Sequence, residues 1–261
     1  MEINNKISAI VTGGASGLGE ATARRLAANG AKVALFDMND ERGEKVAAEI
    51  GGVFCHVDVS DEESADAGLA KARAAHGQER VLVNCAGIVI GRKTVSRDRE
   101  TGDILAHDLK SFAKVVEVNL IGTFHMIAKC AAGMAATEPV TKDGGRGVII
   151  NTASIAGAEG QIGQAAYAAS KGGVIGATLP IARDLAREGI RCCSIMPGLF
   201  YTPMFDTLPK EAQDALGATV PFPTRLGEAD EFAQLAQQIV ENDMLNGTCI
   251  RLDGAIRLEP R

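Results

Sequence analysis

The 261-residue sequence has no tryptophan, only 4% aromatic residues, and no long apolar or basic run. No apolar run approaches the 18 residues of a membrane-crossing helix, so we expect no membrane span. A net charge of −6 without interleaved basic and aromatic residues argues against a nucleic-acid partner. The first predicted strand begins within ten residues of Met1, which leaves no room for a signal or transit peptide. A cytoplasmic location is therefore expected.

Cysteine and histidine are too few and too scattered to suggest a metal site. The six cysteines show no paired ligand spacing, and the four histidines form no cluster. Most of the cysteines lie in apolar segments, as small core residues do. The pattern predicts a reduced protein without structural disulfides and without a bound metal.

Strand and helix signals alternate along the whole chain, and 46% of its residues are hydrophobic. This predicts one α/β domain over 1–261, a single Rossmann-type doubly wound parallel sheet of about seven strands with helices on both faces. We expect surface loops or insertions at 91–108 and 138–147, and one long helix over 109–136. The proline-bearing segment 199–226, with a short helix at 210–217, is predicted to be a substrate lid.

A glycine-rich turn at 12–19 separates an apolar run at 7–11 from an amphipathic stretch, as in a dinucleotide site. Gly13, Gly17 and Gly19 let the backbone turn sharply and approach a pyrophosphate. The helix that follows presents free N–H groups to the phosphates.

An acidic residue, Asp37, closes the second predicted strand, 24 residues after Gly13. A carboxylate there accepts hydrogen bonds from the adenosine ribose hydroxyls and repels a 2′-phosphate. We therefore favour NAD over NADP. Arg42 is the nearest cation and is expected to lie out on the next helix. The alternative is that Asp37 only caps that helix.

Two further loops follow strands at the same sheet edge. Asp58 and Val59 come after the third strand, where the carboxylate can accept from the adenine amino group. Small residues follow the fourth strand and let the sheet edge approach the cofactor; they are Asn84, Cys85, Ala86 and Gly87. Each of these is otherwise an ordinary loop residue.

A tyrosine and a lysine four residues apart, Tyr167 and Lys171, lie on one helix face. The ammonium group is expected to lower the phenol pKa from about 10 toward neutrality, which makes a general acid or base. Ser154, just past a predicted strand, would stabilise charge on a substrate oxygen or simply cap a helix. Asn119 is either part of this site or an ordinary polar helix residue.

With these motifs the chain resembles the short-chain dehydrogenase/reductase family over essentially its whole length. The matching motifs are Thr12-Gly13-x-x-x-Gly17-x-Gly19, Asn84-x-Ala86-Gly87, Asn119, Ser154, Tyr167-x-x-x-Lys171 and Pro197-Gly198. The resemblance implies that Tyr167 takes a hydroxyl proton as hydride leaves for the nicotinamide. It also implies that Lys171 holds the nicotinamide ribose and that Asn119 anchors a proton-relaying water.

Within that family the chain is similar to the type 2 3-hydroxyacyl-CoA dehydrogenases, through stretches such as 147–154, 159–173 and 246–257. This implies a homotetramer that uses NAD to oxidise short, often branched, 3-hydroxyacyl-CoA thioesters. Gln161 would lie near the substrate, or would only satisfy loop backbone. The cofactor contacts implied are Ser16, Leu18, Asp37, Asp58, Val59, Cys85, Tyr167, Lys171, Phe200 and Thr202, beside the motif residues Pro197 and Gly198.

Three alternatives to this activity stay open, namely a hydroxysteroid dehydrogenase, a 3-oxoacyl-carrier-protein reductase and a non-catalytic NAD-binding scaffold. Two residue groups also have two interpretations each. One is basic and would meet CoA phosphates or only solvent; it comprises Arg92, Lys93, Arg97 and Arg99. The other is small and would pack within the chain or against a second copy; it comprises Ala166, Ala169, Gly173 and Gly176.

Overall fold

Seven parallel strands form the centre of the molecule in a computed structural model that describes residues 1–202 and 209–260. Their order across the sheet is β3-β2-β1-β4-β7-β8-β9. The strands are β1 (Ser8–Thr12), β2 (Lys32–Asp37), β3 (Val53–His56), β4 (Val81–Asn84), β7 (Gly147–Thr152), β8 (Ile190–Pro197) and β9 (Cys249–Leu252). The chain reverses direction across the sheet between β1 and β4, which creates a crevice at the carboxyl edge. The predicted doubly wound parallel sheet is confirmed.

Helices alternate with these strands along the chain. They are α1 (Gly17–Ala28), α2 (Asp40–Ile50), α3 (Glu62–His76), α4 (Leu109–Val116), α5 (Thr123–Ala135), α6 (Ala165–Asp184), α7 (Lys210–Gly217) and α8 (Ala229–Glu241). Three short turns of other helix types lie at Glu117–Gly122, Ile155–Gly157 and Ala186–Glu188.

Buried side chains fill both faces of the sheet because successive strand residues point to opposite sides. In β1, Ala9 and Val11 belong to one apolar cluster and Ile10 to the other. In β4, Val83 and Leu82 divide in the same way. All six cysteines are free, and four of them are buried.

The segment 91–108 holds a small antiparallel hairpin in place of an irregular loop. Its strands are β5 (Val95–Arg97) and β6 (Ile104–Ala106), paired Val95 to Ala106. All six strand residues are exposed, so the sequence has no alternation of buried and exposed residues from which the hairpin could be predicted.

The helix predicted over 109–136 is interrupted by a π-helical turn at Glu117–Gly122, between α4 and α5. Asn119 lies inside this turn. By length and composition alone, the stretch Leu109–Ala135 could cross a membrane, and 39% of its most apolar window is buried in the structure. Core helices meet the same criterion.

The predicted lid is described only in part, because residues 203–208 lie outside the described ranges. The short helix expected at 210–217 is confirmed as α7. On either side of it, Leu199 and Val220 pack against Ala153 and Ile155 beneath the carboxyl edge of the sheet. The role of the segment as a lid stays a prediction.

Candidate active site

The glycine-rich turn closes tightly on itself and on the loop after β4. Gly13 and Gly17 have φ angles of 64° and 54°, in the left-handed region. A Cβ on Gly13 would lie 2.8 Å from the amide nitrogen of Ala86, and a Cβ on Gly19 would lie 2.1 Å from the Gly13 carbonyl oxygen. Only glycine fits at these contacts.

Helix α1 begins without a side-chain cap, since the Ser16 hydroxyl at its N-cap makes no capping hydrogen bond. Its first N–H groups thus lack the partner that a serine usually supplies. Leu18 packs below, against the apolar cluster of α1 and α8. The open helix end and the close-packed glycines together form a cradle of the size and polarity that a pyrophosphate needs.

Asp37 lies beside this turn and is tied to it. Its Oδ2 atom accepts a hydrogen bond from the Ala15 amide at 3.0 Å, and its Oδ1 atom accepts one from the Asn39 amide at 3.0 Å. Asn39, and not Asp37, caps α2. The carboxylate is therefore fixed at the carboxyl end of β2.

Arg42 lies on the helix that follows β2, as expected, and its side chain reaches back to the glycine-rich turn. Although Arg42 belongs to α2, its Nε atom donates to the Ala15 carbonyl at 3.1 Å, and its Nη2 atom pairs with Glu20 at 3.1 Å. A long flexible side chain spans the gap between α2 and α1.

The residues after β3 and β4 lie farther along the same edge. Asp58 accepts from the Ser60 amide and hydroxyl, and the hydroxyl bond holds the pKa of this carboxyl below its usual value. Val59 is buried. The amides of Cys85 and Ala86 both donate to the Thr12 hydroxyl, at 3.2 and 3.1 Å.

Asn84 takes a different position from its neighbours. Its side chain is buried in the sheet and donates to Asn151 Oδ1 at 2.9 Å. Its own Oδ1 has no partner among the described residues. The amide therefore links β4 to β7, and a cofactor contact through this side chain stays a prediction.

Tyr167, Ser154 and Lys171 meet at the end of β7. The Ser154 hydroxyl caps the short helix Ile155–Gly157 by accepting from the Ala156 amide at 3.1 Å, and it also hydrogen-bonds the Tyr167 phenol. Lys171 is 4% exposed, and its Nζ atom donates to the Thr152 carbonyl at 2.6 Å. The same Nζ atom lies 5.9 Å from the centre of the Tyr167 ring.

Asn119 and Gly87 complete this cluster from the other side. A Cβ on Gly87 would lie 3.2 Å from Asn119 Oδ1 and 3.5 Å from Lys171 Nζ, so the amide and the ammonium lie close together. The Asn119 side chain exchanges two hydrogen bonds with the Ile88 backbone, at 2.8 and 2.9 Å. It also donates to the Ser170 hydroxyl at 3.1 Å. The π-helical turn thus links the loop after β4, at the carboxyl edge of the sheet, to α6.

The expected lowering of the tyrosine pKa is wrong, since the pKa is raised in this structure. Burial raises the pKa of Tyr167, and among the described residues only hydrogen bonding with Ser154 opposes this rise. The Lys171 Nζ atom lies over the Tyr167 ring and donates to the Thr152 carbonyl, and its charge does not contribute to the pKa of the phenol. Burial also lowers the pKa of Lys171 to about 8.

Sequence motifs gave no sign of two members of the site. The Thr152 carbonyl accepts from Lys171, and backbone atoms carry no sequence signal. Glu20 pairs with Arg42 across a gap of 22 residues, which no local spacing reveals. The Thr12 hydroxyl lies within a known motif, although its bonds to the β4 loop were not foreseen.

The strand β8 ends at Pro197, and Gly198 follows in contact with β9 through a bond from its amide to Leu252. Phe200 is buried and forms a β-bridge with Gly227. Thr202 is the last described residue before the gap. These residues lie at the carboxyl edge, where a cofactor contact was predicted.

The short chain dehydrogenase family model matches residues 8–213 of this chain. The chain belongs to the short-chain dehydrogenase family. A 3-hydroxyacyl-CoA dehydrogenase type-2 from Drosophila melanogaster is 50% identical over 260 residues, covering 99% of this chain and 100% of the relative. The protein of the same name from Homo sapiens is 50% identical over 254 residues, covering 97% and 95%.

A solved structure agrees with these relatives. The crystal structure of 3-hydroxyacyl-CoA dehydrogenase type-2 from Mycobacterium avium has a TM-score of 0.92 and 43% identity, and each chain covers 98% of the other. A (3R)-3-hydroxyacyl-CoA dehydrogenase from Homo sapiens is more distant, at 33% identity over 263 residues.

As a short-chain dehydrogenase, the protein is an oxidoreductase that uses a nicotinamide nucleotide and acts on a small-molecule substrate. The cradle at Gly13 and Gly19, the uncapped end of α1 and the fixed carboxylate of Asp37 fit such a cofactor. Within residues 1–202 and 209–260, no three metal-ligating side chains come together.

Gln161 lies in the loop before α6 of this short-chain dehydrogenase. Its amide donates to the Glu259 carbonyl at 2.9 Å, and its backbone N–H donates to Gln164 Oε1 at 3.0 Å. In this structure the side chain therefore ties the loop to the C-terminal residues. A direct substrate contact stays a prediction.

Proposed function

We propose that the protein oxidises the 3-hydroxyl of a short or branched 3-hydroxyacyl-CoA to the 3-oxo thioester, with NAD as the hydride acceptor. The observation that carries this proposal is 50% identity along nearly the whole chain to type-2 3-hydroxyacyl-CoA dehydrogenases. The cluster of Tyr167, Ser154 and Lys171 at the cofactor edge supports the chemistry.

The catalytic roles follow from the hydrogen bonds of this cluster. A nicotinamide cofactor, with its ribose held by Lys171, would supply the acceptor for the hydride of the substrate carbon. Tyr167 takes the hydroxyl proton in oxidation and returns it in reduction. Ser154 donates to the substrate oxygen and stabilises its developing charge. Burial favours the protonated phenol in the free protein, which is the form that donates a proton to a carbonyl oxygen.

Lys171 and Asn119 act behind the phenol in this proposal. The Lys171 ammonium is held by the Thr152 carbonyl within reach of the site that the nicotinamide ribose would occupy. Asn119, adjacent to it at Gly87, would anchor a water that exchanges protons with Lys171. Such a relay restores the phenol between turnovers.

The preference for NAD rests on Asp37. Its carboxylate is held between the Ala15 and Asn39 amides at the position where an adenosine ribose binds in this fold. A 2′-phosphate placed there would meet a fixed negative charge. The ratio of kcat/KM with NAD to kcat/KM with NADP measures this preference.

The CoA end of the substrate has a candidate contact on the β5–β6 hairpin. A cavity of about 440 Å³ is lined there by Lys93, Arg97 and Arg99 among others. Arg92, the fourth cation, lies apart from this lining and faces Asp108 at 3.9 Å. Because guanidinium and ammonium groups bind phosphates, this cavity supports contact with the nucleotide part of CoA.

A comparison of two thioesters tests the CoA contact. Lys93→Gln and Arg99→Gln together should raise KM for a 3-hydroxyacyl-CoA about tenfold, and the rise should shrink at high salt. KM for the matching pantetheine thioester, which lacks the nucleotide, should not change. Equal effects on both thioesters would show that the hairpin affects the site in some other way.

We also propose that the protein is a homotetramer located in the cytoplasm. Three exposed apolar residues support an interface, namely Ile121 in the π-helical turn, Phe124 on α5 and Leu179 on α6. Among the small residues of α6, Gly173 packs within the chain against Leu120, whereas Gly176 faces open space. Phe124→Glu should convert the tetramer to smaller species in sedimentation, and cell fractionation tests the location.

Kinetics on a substrate panel test the activity itself. The panel contains 3-hydroxyacyl-CoAs of different length and branching, steroid alcohols and a 3-oxoacyl-carrier protein, each with NAD and NADP. Highest kcat/KM on short or branched acyl-CoA with NAD supports the proposal. Preference for steroids, or for the carrier protein with NADPH, would replace it. Cofactor binding without turnover on any substrate would indicate a scaffold.

A further inference from the structure

An ion pair between two helices lies beside the proposed adenosine ribose site. Glu20, on the first turn of α1, accepts from Arg42 Nη2 at 3.1 Å and from Arg24 Nε at 2.9 Å. Glu20 is half-buried, while the Arg42 side chain is 47% exposed. The carboxylate thus lies between two guanidinium groups.

Arg42 and Asp37 bind the same residue of the glycine-rich turn. The Ala15 amide donates to Asp37 at 3.0 Å, and the Ala15 carbonyl accepts from Arg42 Nε at 3.1 Å. The Arg42 guanidinium group and the Asp37 carboxylate therefore contact the same buried residue, Ala15. A phosphate on the ribose 2′-oxygen would approach both groups.

A guanidinium group at that place is suited to bind a phosphate, since its N–H groups match two phosphate oxygens. In this chain two of the five N–H donors of Arg42 already have partners, since Nε donates to the Ala15 carbonyl and Nη2 donates to Glu20. The Glu20 charge also offsets the positive charge that a 2′-phosphate would otherwise meet.

We propose that Glu20 is a specificity-determining residue that pairs with the Arg42 guanidinium group, keeps it from binding a 2′-phosphate and so disfavours NADP. The inference rests on the proposed NAD preference and adds a second cause to it, besides Asp37. Without Glu20, Arg42 is free either to bind the 2′-phosphate or to pair with Asp37. Both outcomes remove part of the barrier to NADP.

Binding of NADH and NADPH to the purified protein, followed by cofactor fluorescence, tests this directly. Glu20→Ala should lower Kd for NADPH about tenfold and change Kd for NADH less than threefold. The kcat/KM ratio of NAD to NADP should fall by the same factor. The gain for NADPH should weaken as salt rises.

Two further variants distinguish the effect of losing the Glu20–Arg42 ion pair from the effect of losing one negative charge near the site. Glu41→Gln removes one negative charge next to Arg42. The Glu41 side chain is exposed and has no hydrogen bond or ion pair among the described residues, so this variant should leave both Kd values unchanged. Glu20→Ala with Arg42→Ala should return Kd for NADPH to the wild-type value. Glu20→Gln serves the same purpose as Glu20→Ala should the latter fold poorly.

The outcomes distinguish this inference from the function on which it rests. A wild-type protein that already prefers NADPH would contradict the proposed NAD preference. A wild-type preference for NADH with no gain for NADPH in either Glu20 variant would overturn the role of Glu20 alone. A gain that persists without Arg42 would also overturn it.

Discussion

Replacing Lys171 by methionine should remove activity without destabilising the cofactor-free protein. Lys171 is 4% exposed, and within residues 1–202 and 209–260 its side chain makes one hydrogen bond, to the Thr152 carbonyl at 2.6 Å. Among the described residues, Cys85 tends to raise the pKa of Lys171, and no carboxylate contributes to it. The chain thus keeps a buried ammonium group for a purpose other than stability.

The magnitude follows from the pKa of Lys171, which burial lowers from 10.5 to about 8. Keeping the buried group charged at pH 7 then costs about 3 kcal/mol. In the variant the Thr152 carbonyl loses its hydrogen bond, which offsets about 1–3 kcal/mol of the gain. Lys171→Met should therefore leave the free energy of unfolding at pH 7 unchanged or raise it by about 2 kcal/mol.

The pH dependence gives the sharper test. Below pH 8 the lysine is protonated in both the folded and the unfolded chain, so the cost of burial is complete. Between pH 8 and about 10.5 the folded chain has released the proton while the unfolded chain still holds it, and the stability conferred by this residue rises. From pH 7 to 10 the wild type should gain about 2.5 kcal/mol relative to Lys171→Met.

Urea denaturation at equal protein concentration, without cofactor, measures the difference. Lys142→Met, at an exposed lysine, is the control for the loss of one positive charge. A wild-type to Lys171→Met difference that stays constant from pH 7 to 10 would refute the reasoning. It would mean that the buried lysine does not change its protonation in this range.

Two other substitutions probe the framework of the site. Gly19→Ala should weaken NADH binding at least tenfold and lower Tm, because its Cβ would lie 2.1 Å from the Gly13 carbonyl. The control is Gly91→Ala, which has open space around it and should change neither the binding of NADH nor Tm. Arg73→Met should lower the free energy of unfolding by about 3–5 kcal/mol in urea denaturation, because it leaves the 1% exposed Glu79 without its partner. A loss below 1 kcal/mol would show that Glu79 finds water or another donor.

The sheet and its carboxyl edge could be predicted because their signals are local. Apolar β-branched runs such as those that became β1 and β4 recur between amphipathic stretches, and parallel pairing then places their ends together. The glycine-rich turn and the Tyr167 to Lys171 spacing are local as well. The apolar run predicted as the first strand, 7–11, was found as Ser8–Thr12, and the second strand ends at Asp37 as predicted.

The remaining features depend on contacts between distant residues. The π-helical turn around Asn119 continues the dihedral angles of a helix, so no break is visible in the sequence. The hairpin strands Val95–Arg97 and Ile104–Ala106 are exposed and carry no buried face. The pKa of Tyr167 depends on burial that only the folded chain creates.

Turnover by Tyr167→Phe tests the central claim most directly, since the substitution removes the phenol oxygen and almost no volume. Single-turnover oxidation of a short 3-hydroxyacyl-CoA should slow by about 10²–10⁴-fold, while Kd for NADH stays within a factor of three of the wild-type value. Near-normal turnover in this variant would contradict the account, because the proton would then leave the substrate by another route.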